Sequence, residues 1–208
     1  MSGGAESSPA FWQGDAFDAV LEAQLLTPRL RLEPQCESHA EGLFPLLADP
    51  RLYEHIPLEP PASLPALRER LSRLSARRSP DGRELWLNWV MCDARSGVYV
   101  GRVQATVRAG RPAYLAYEVF PAHWHRGFAT EGCTRAMQWL IDELHVDGFM
   151  AEVDTLNTAS LRLLERLGFQ RTAFRAAADT FKGRVSDEWT CRLDAAAFER
   201  RVAAAGRR

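Results

Sequence analysis

The stretch from Leu115 to Gly168 limits what this chain can fold into more tightly than any other. It opens as a strand, Leu115-Ala116-Tyr117-Glu118-Val119-Phe120, and enters the loop Trp124-His125-Arg126-Gly127-Phe128-Ala129-Thr130. Cys133, Ala136, Met137, Leu140, Ile141 and Leu144 then recur at the spacing of one helix face, which predicts a helix to about Glu143. A strand from Phe149 to Val153 follows, then a second helix from Asn157 to about Leu167. Asn157 suits its N-cap and Gly168 the residue after its C-cap. A strand, a glycine loop and a helix N-terminus in that order make an anion site, most often for phosphate. The free N–H groups point at the ligand and the helix dipole favours negative charge. Gly127 lets the backbone turn tightly and approach a ligand, Ala129 keeps its position small, and Arg126 adds a forked cation. Each half alone also has an ordinary reading, as a strand-to-helix turn beside a solvated arginine or as a well-capped short helix.

Several segments together carry a resemblance. Trp124-x-x-Gly127-x-Ala129 is similar to the Gln/Arg-x-x-Gly-x-Gly/Ala signature of the GNAT acetyltransferase superfamily, and Gly127-Phe128-Ala129-Thr130-Glu131 to the Gly-Tyr-Ala-Thr-Glu of its RimJ/RimL-type branch. Asn157-x-x-Ser160 followed by Leu164-Glu165-Arg166-Leu167-Gly168-Phe169 resembles the family's second coenzyme segment, and Thr27-Pro28-Arg29-Leu30-Arg31-Leu32 the branch's first strand. Trp124 departs from Gln/Arg, although the branch accommodates an aromatic there. Leu164 stands where many members carry a tyrosine that protonates the departing thiolate, and Ser160 matches the serine this branch has near the start of that helix. The resemblance spans about Leu25 to Leu193. It implies a single α/β (α+β) domain with a mixed, mostly antiparallel sheet of about seven strands, flanked by helices and splayed between the fourth and fifth strands. It also implies acetyl-CoA as the acetyl donor.

The remaining chain fits one domain at 25–193, with an extension at 1–24 and a tail at 194–208. Residues 1–8 read as a flexible start. Phe11, Trp12, Phe17, Val20 and Leu21 read as a short amphipathic segment that docks on the body, contacts a second copy in a homodimer or forms a lid. Leu25 to Glu33 reads as a strand, Ser38 to Leu47 and Leu64 to Leu74 as helices, and Leu85–Met91 and Tyr99–Val107 as a hairpin. Gln170–Ala177 and Ser186–Leu193 read as strands around a turn at Asp179–Arg184, and Asp194–Arg208 as a short helix that frays.

Composition narrows the function. The chain has 208 residues, 46% of them hydrophobic, and a formal net charge of −1, so it lacks the basic footprint of a nucleic-acid binder. Cys36, Cys92, Cys133 and Cys191 are widely spaced and no His cluster accompanies them, which reads as free thiols and no metal site. No signal-like N-terminus and no long apolar run is present, so the expectation is a soluble cytoplasmic protein without membrane contact.

Acetyl transfer to an amine needs a held coenzyme, a neutral amine, a stabilised oxyanion and a protonated leaving thiolate. On the resemblance, Arg126, Gly127, Phe128, Ala129 and Thr130 would hold the pyrophosphate. Val119 and Phe120 would bond the pantetheine arm, with the Val119 N–H as oxyanion donor, and Asn157 would bond that arm from the other side. Glu118 is the base candidate, with His123 and His125 as rivals, and Ser160 would protonate the thiolate unless it only caps its helix. Tyr53, His55 and Asp187 are candidate acceptor contacts, against plain loop packing for the first two and a solvated strand-edge carboxylate for the last. An α-amine has a pKa of about 8 and lysine about 10.4, so neutralising lysine costs roughly 3 kcal/mol more near pH 7. That favours a protein N-terminal α-amine, of the ribosomal-protein kind, as acceptor. A small-molecule amine of aminoglycoside or polyamine type, and a non-catalytic acyl-CoA-binding module, are the alternatives.

Overall fold

A computed structural model describes Trp12 and residues 14–206 of the chain. In order the elements are α1 (Asp15–Leu21), β1 (Leu25–Leu26), β2 (Leu30–Pro34), α2 (Ala40–Leu47), α3 (Leu64–Leu74), β3 (Glu84–Asp93), β4 (Tyr99–Arg108), β5 (Ala113–Val119), α4 (Phe128–Leu144), β6 (Gly148–Asp154), α5 (Thr158–Leu167), β7 (Gln170–Phe181), β8 (Arg184–Asp194) and α6 (Ala195–Ala205). The strands form one eight-stranded sheet in the order β1-β2-β3-β4-β5-β6-β8-β7. Every neighbouring pair is antiparallel except β5–β6, which is parallel. The α/β architecture agrees with the expectation, and the strand count is eight instead of about seven. The extra strand arises because Leu25–Glu33 folds back on itself. The Thr27 N–H donates to Leu30 O at 2.9 Å and the Leu30 N–H donates to Thr27 Oγ1 at 2.7 Å, so Thr27–Leu30 is a tight turn around Pro28.

Helices cover both faces of the sheet. On one, Cys133, Ala136, Met137 and Leu140 of α4 are fully buried in a core with Trp89, Val103, Leu115 and Phe149. These are the periodic residues of the sequence, and burying each large one contributes about 1.5–3 kcal/mol. On the other face, Leu43 and Leu47 of α2 and Leu67 and Leu71 of α3 close over Val90 and Phe120. Ser63 starts α3 by accepting from the Ala66 N–H at 3.3 Å, and Pro65 sits in the first turn, where a missing N–H costs nothing.

The flanking segments pack on the same body. Trp12 and Leu21 are buried in the α4-side core, with Phe17 and Val20 against it. Residues 1–8 and Phe11 lie outside the described residues. Asp194 caps α6 by accepting from the Ala197 N–H at 3.0 Å, and Phe198 is buried 6.1 Å from Phe149, ring centre to ring centre. The β7–β8 hairpin is longer than expected. Its turn shrinks to Lys182-Gly183, with φ of 52° and 74°, as a two-residue hairpin turn requires. Pairing reaches that far because β7 is irregular between Arg175 and Asp179. There Ala177 takes φ 48° and donates its N–H to Asp187 Oδ1 at 2.8 Å. The four cysteines are free thiols. Among the described residues no helix is long and apolar enough to cross a membrane.

Gly101 of β4 lies against the end of β5. A Cβ there would fall 2.2 Å from Glu118 O and 2.9 Å from Val119 Cα, both backbone atoms. Gly101→Ala is expected to cost about 1–3 kcal/mol or more, seen as a lower urea midpoint at unchanged m-value.

Candidate active site

The parallel pair β5–β6 is held by only two registered residue pairs, Ala113↔Phe149 and Tyr114↔Met150. Beyond them the strands part. β5 continues on β4 to Val119, and β6 continues on β8 to Asp154. The facing edges therefore line a wedge-shaped gap. The Phe120 N–H turns toward β4, donating to Val100 O at 2.9 Å, so by strand alternation the Val119 N–H faces the gap. Val119 O, on the same edge, already accepts from the Trp124 indole N–H at 2.6 Å. Trp124, which departs from the signature's Gln/Arg, thus closes the end of the strand and leaves the Val119 N–H as the free group. A tryptophan in that position carried no such signal in the sequence.

The loop entering α4 stands at the mouth. His125 and Gly127 take left-handed φ of 59° and 79°, which turns the chain sharply around Arg126. Gly127 is the N-cap of α4 and no side chain caps it, while the first helical bond runs from the Glu131 N–H to Gly127 O. The N–H groups of Phe128, Ala129 and Thr130 are left for a ligand. Thr130 Oγ1 is buried with no hydrogen-bond partner among the described residues. The Arg126 and Arg29 guanidinium groups lie over the Phe128 ring at 5.0 and 4.8 Å. Arg29 Nε donates to Glu131 Oε2 at 2.6 Å, and Thr27 Oγ1 donates to Glu131 Oε1 at 2.6 Å. The Thr27–Arg29 corner and the first turn of α4 therefore act as one unit. Arg126 Nη1 meets His123 Nδ1 at 3.2 Å. Burial first, and then the Arg126 charge, hold the His123 imidazole below its ordinary range, so its nitrogen accepts from Arg126 at neutral pH.

The two candidate catalytic side chains sit on opposite faces of β5. Glu118 lies in a row across the sheet, Glu33↔Val90↔Arg102↔Glu118, on the α2–α3 face. Its Oε1 accepts from Arg102 Nε at 2.5 Å, and Oε2 has no partner among the described residues. On the α4–α5 face, Tyr117 OH lies 2.8 Å from Ser160 Oγ and 3.3 Å from Ser160 O. Burial pushes the Tyr117 phenol well above its ordinary value, so it stays protonated, and either hydroxyl of the pair can donate to the other. The cap of α5 is Asn157, whose Oδ1 accepts from the Ser160 N–H at 3.0 Å, so the Ser160 hydroxyl is not spent on capping. Tyr117 is a site residue that sequence reasoning passed over, because its contact with Ser160 spans 43 positions.

An acetyltransferase (GNAT) domain model matches residues 29–170, more than half of the chain. The chain belongs to the GNAT family of acetyltransferases. It is an acyltransferase, and GNAT acetyltransferases use acetyl-CoA. The uncharacterised N-acetyltransferase YoaA of Bacillus subtilis is 26% identical over 71% of this chain and 82% of its own length. Mycobacterium smegmatis RimJ in complex with CoA-disulfide has a TM-score of 0.75 at 20% identity, covering 89% of this chain and 96% of that one. The ribosomal-protein-S5-alanine acetyltransferase of Vibrio fischeri has a TM-score of 0.73 at 16% identity, covering 83% and 96%.

The GNAT coenzyme fits the residues present: an uncapped helix start, a buried hydroxyl lacking a partner, and a strand edge with a free N–H. Among the described residues no group of three or more His, Cys, Asp or Glu side chains could hold a metal ion. The loop after α2 forms the wall on the Glu118 side. Tyr53 is buried and donates its hydroxyl to Leu47 O at 2.8 Å, while His55 Nδ1 is buried without a partner among the described residues. Lys182, the only lysine in the sequence, reaches from the β7–β8 turn to this loop. Its ammonium donates to the carbonyls of Tyr53, Ile56 (3.4 Å) and Leu58 (3.1 Å). Asp187 is occupied by the Ala177 N–H, and its carbonyl accepts from the Thr155 N–H at 2.9 Å, so it braces the approach to α5.

Asp154 sets that approach too. Its carboxylate accepts from Ser186 Oγ and Arg184 Nη2 at 2.6 Å each and from the Leu156 N–H at 2.7 Å. Burial alone would raise its pKa, but the three donors outweigh burial and the net direction is down. A depressed folded pKa stabilises fully above the unfolded value of about 3.9 and is lost as pH falls through the folded value. Asp154→Asn is expected to cost about 1–3 kcal/mol at neutral pH. In denaturation series it should also flatten the loss of stability below about pH 4.

Proposed function

We propose that this chain transfers the acetyl group of acetyl-CoA directly to a protein N-terminal α-amine, in the manner of the RimJ-type branch. The observation that carries the reading is the β5–β6 gap, which exposes the Val119 N–H between Glu118 on one face and the Tyr117–Ser160 pair on the other. When bound, acetyl-CoA supplies an acetyl thioester whose carbonyl is attacked and whose sulfur leaves.

The residues divide the work. The N–H groups of Phe128, Ala129 and Thr130, with Arg126, hold the pyrophosphate; Asn157 and the edges at Val119 and Phe120 hold the pantetheine arm. The Val119 N–H donates to the carbonyl oxygen as negative charge develops there. Glu118 Oε2 takes the proton of the attacking amine, directly or through a water, while Arg102 fixes the carboxylate through the other oxygen. An α-amine, with a pKa of about 8, gives up its proton more readily than a lysine at about 10.4, so a single carboxylate base suits it better. Ser160 gives its hydroxyl proton to the departing sulfur. Tyr117 is a positioning residue: its hydroxyl, 2.8 Å from Ser160 Oγ, fixes the serine side chain and can replace the proton that Ser160 gives up.

Saturating coenzyme at about a hundredfold over its dissociation constant is expected to add roughly 2.7 kcal/mol, or about 5–10 °C in thermal midpoint. Adenosine alone is expected to give no such rise, and no rise with coenzyme at any concentration would reject the site. With an N-terminal peptide as acceptor, Glu118→Gln and Ser160→Ala are each expected to lower kcat/KM by about 100-fold. Tyr117→Phe is expected to lower kcat by about tenfold with little change in acceptor KM. Unchanged acetylation in both of the first two variants would reject these roles, and coenzyme binding without turnover of any amine would favour a non-catalytic acyl-CoA module.

A further inference from the structure

The acceptor side of β5 carries more positive charge than it neutralises. Glu118 is its central carboxylate, and one of its oxygens is bound to the buried Arg102. A second guanidinium, Arg70 of α3, comes within electrostatic reach of Arg102, Glu118 and Tyr53. Arg70 is half-buried and has no hydrogen bond and no ion pair among the described residues. The neighbouring cations are spoken for: Lys182 is held by the carbonyls of the Tyr53 loop, and Arg73, one turn-end along α3, is exposed and bonded to Glu69 at 2.8 Å. An unused donor lies nearby: Gln35, fully buried, accepts from Arg102 Nη1 through its Oε1 at 3.5 Å, and its Nε2 has no partner among the described residues.

A guanidinium keeps its charge even when desolvated, so burial without a counter-ion is a standing cost. Arg70 sits within α3 between Leu67 and Leu71, which anchor the helix, and its position is therefore fixed by the core and not by a partner. We propose, building on the transferase reading above, that the amine acceptor carries a carboxylate close to its reactive amine and that Arg70, beside Arg102, receives it. The charge arrangement also favours the reaction. Pairing of the carboxylate with Arg70 would hold the amine beside Glu118. The same cation repels a polyamine, whose further ammonium groups would lie where Arg70 is.

The carboxylate has two sources, an acidic side chain just after the N-terminal residue of a peptide or the α-carboxylate of a free amino acid. The test measures kcat/KM for matched peptides with Glu, Gln or Lys at the second position, for free amino acids against their amides, and for spermidine. The Glu peptide is expected to exceed its Gln twin by about tenfold or more. Arg70→Gln should bring that ratio near one, Arg70→Lys should keep part of it, and Arg73→Gln should leave it as in the wild type. Each variant's thermal shift with coenzyme shows that it is folded. Equal rates on the Glu and Gln peptides and equal rates on free amino acids and amides, or spermidine as the best acceptor, overturn the proposal. Acetylation of free amino acids over amides, with no peptide turned over, upholds the carboxylate and rejects the peptide reading. If no amine in any arm is acetylated, both fall.

Discussion

The proposed site depends on two strands that start as neighbours and then separate. A parallel pair bonded at Ala113 and Tyr114 and nowhere further would be a fault in an ordinary sheet, because each freed N–H and C=O loses its partner. Here β5 is held along its other edge by β4, and β6 along its other edge by β8, so neither needs the pairing to keep its shape. On the edge of β5 that faces the gap, Val119 O is taken by the Trp124 indole and the Val119 N–H is left open. That open donor is what a ligand with its own carbonyl can use without paying to order the protein.

The same strand divides the chemistry by the period of its side chains. Tyr117 faces the α4–α5 layer and Glu118 the α2–α3 layer, so the hydroxyl pair and the carboxylate cannot neutralise one another. Each is then tuned by its own layer. The phenol is buried among apolar side chains and stays protonated; the carboxylate lies in a band with two arginines, one of them bonded to it. A one-residue slip of β5 on β4 would exchange the two faces, and the buried Leu115 and Val103 prevent it.

Much of this was legible in the chain. The helix of Cys133, Ala136, Met137 and Leu140 shows itself by spacing, because a helix face reports local geometry, and the loop at Gly127 shows itself by the residues that a left-handed turn demands. The first strand was read as one because both halves are apolar. Its fold-back depends on the Thr27 side chain, which is equally at home in a strand. The β7–β8 turn around Lys182-Gly183 was drawn too long because the irregularity at Ala177, which lets the pairing continue, is held by Asp187, ten positions away. Ser160 was visible as a candidate while Tyr117 was not, and Arg70 was one arginine among many. Such contacts arise only when distant segments close on each other, and no local pattern announces them.

The loop at Tyr53 has a last consequence, through the ammonium that clasps it. Acyl thioesters are reagents as well as substrates, and lysine side chains are the groups on a protein surface that they label most readily. This chain has one lysine, and its nitrogen is engaged by backbone carbonyls; apart from five histidines, every other basic side chain is an arginine, whose delocalised charge leaves no lone pair to attack. The fold therefore makes its ion pairs with a cation that an acyl thioester does not modify. Self-labelling, a chemical wear that any carrier of activated acyl groups faces, finds almost no amine side chain here on which to act.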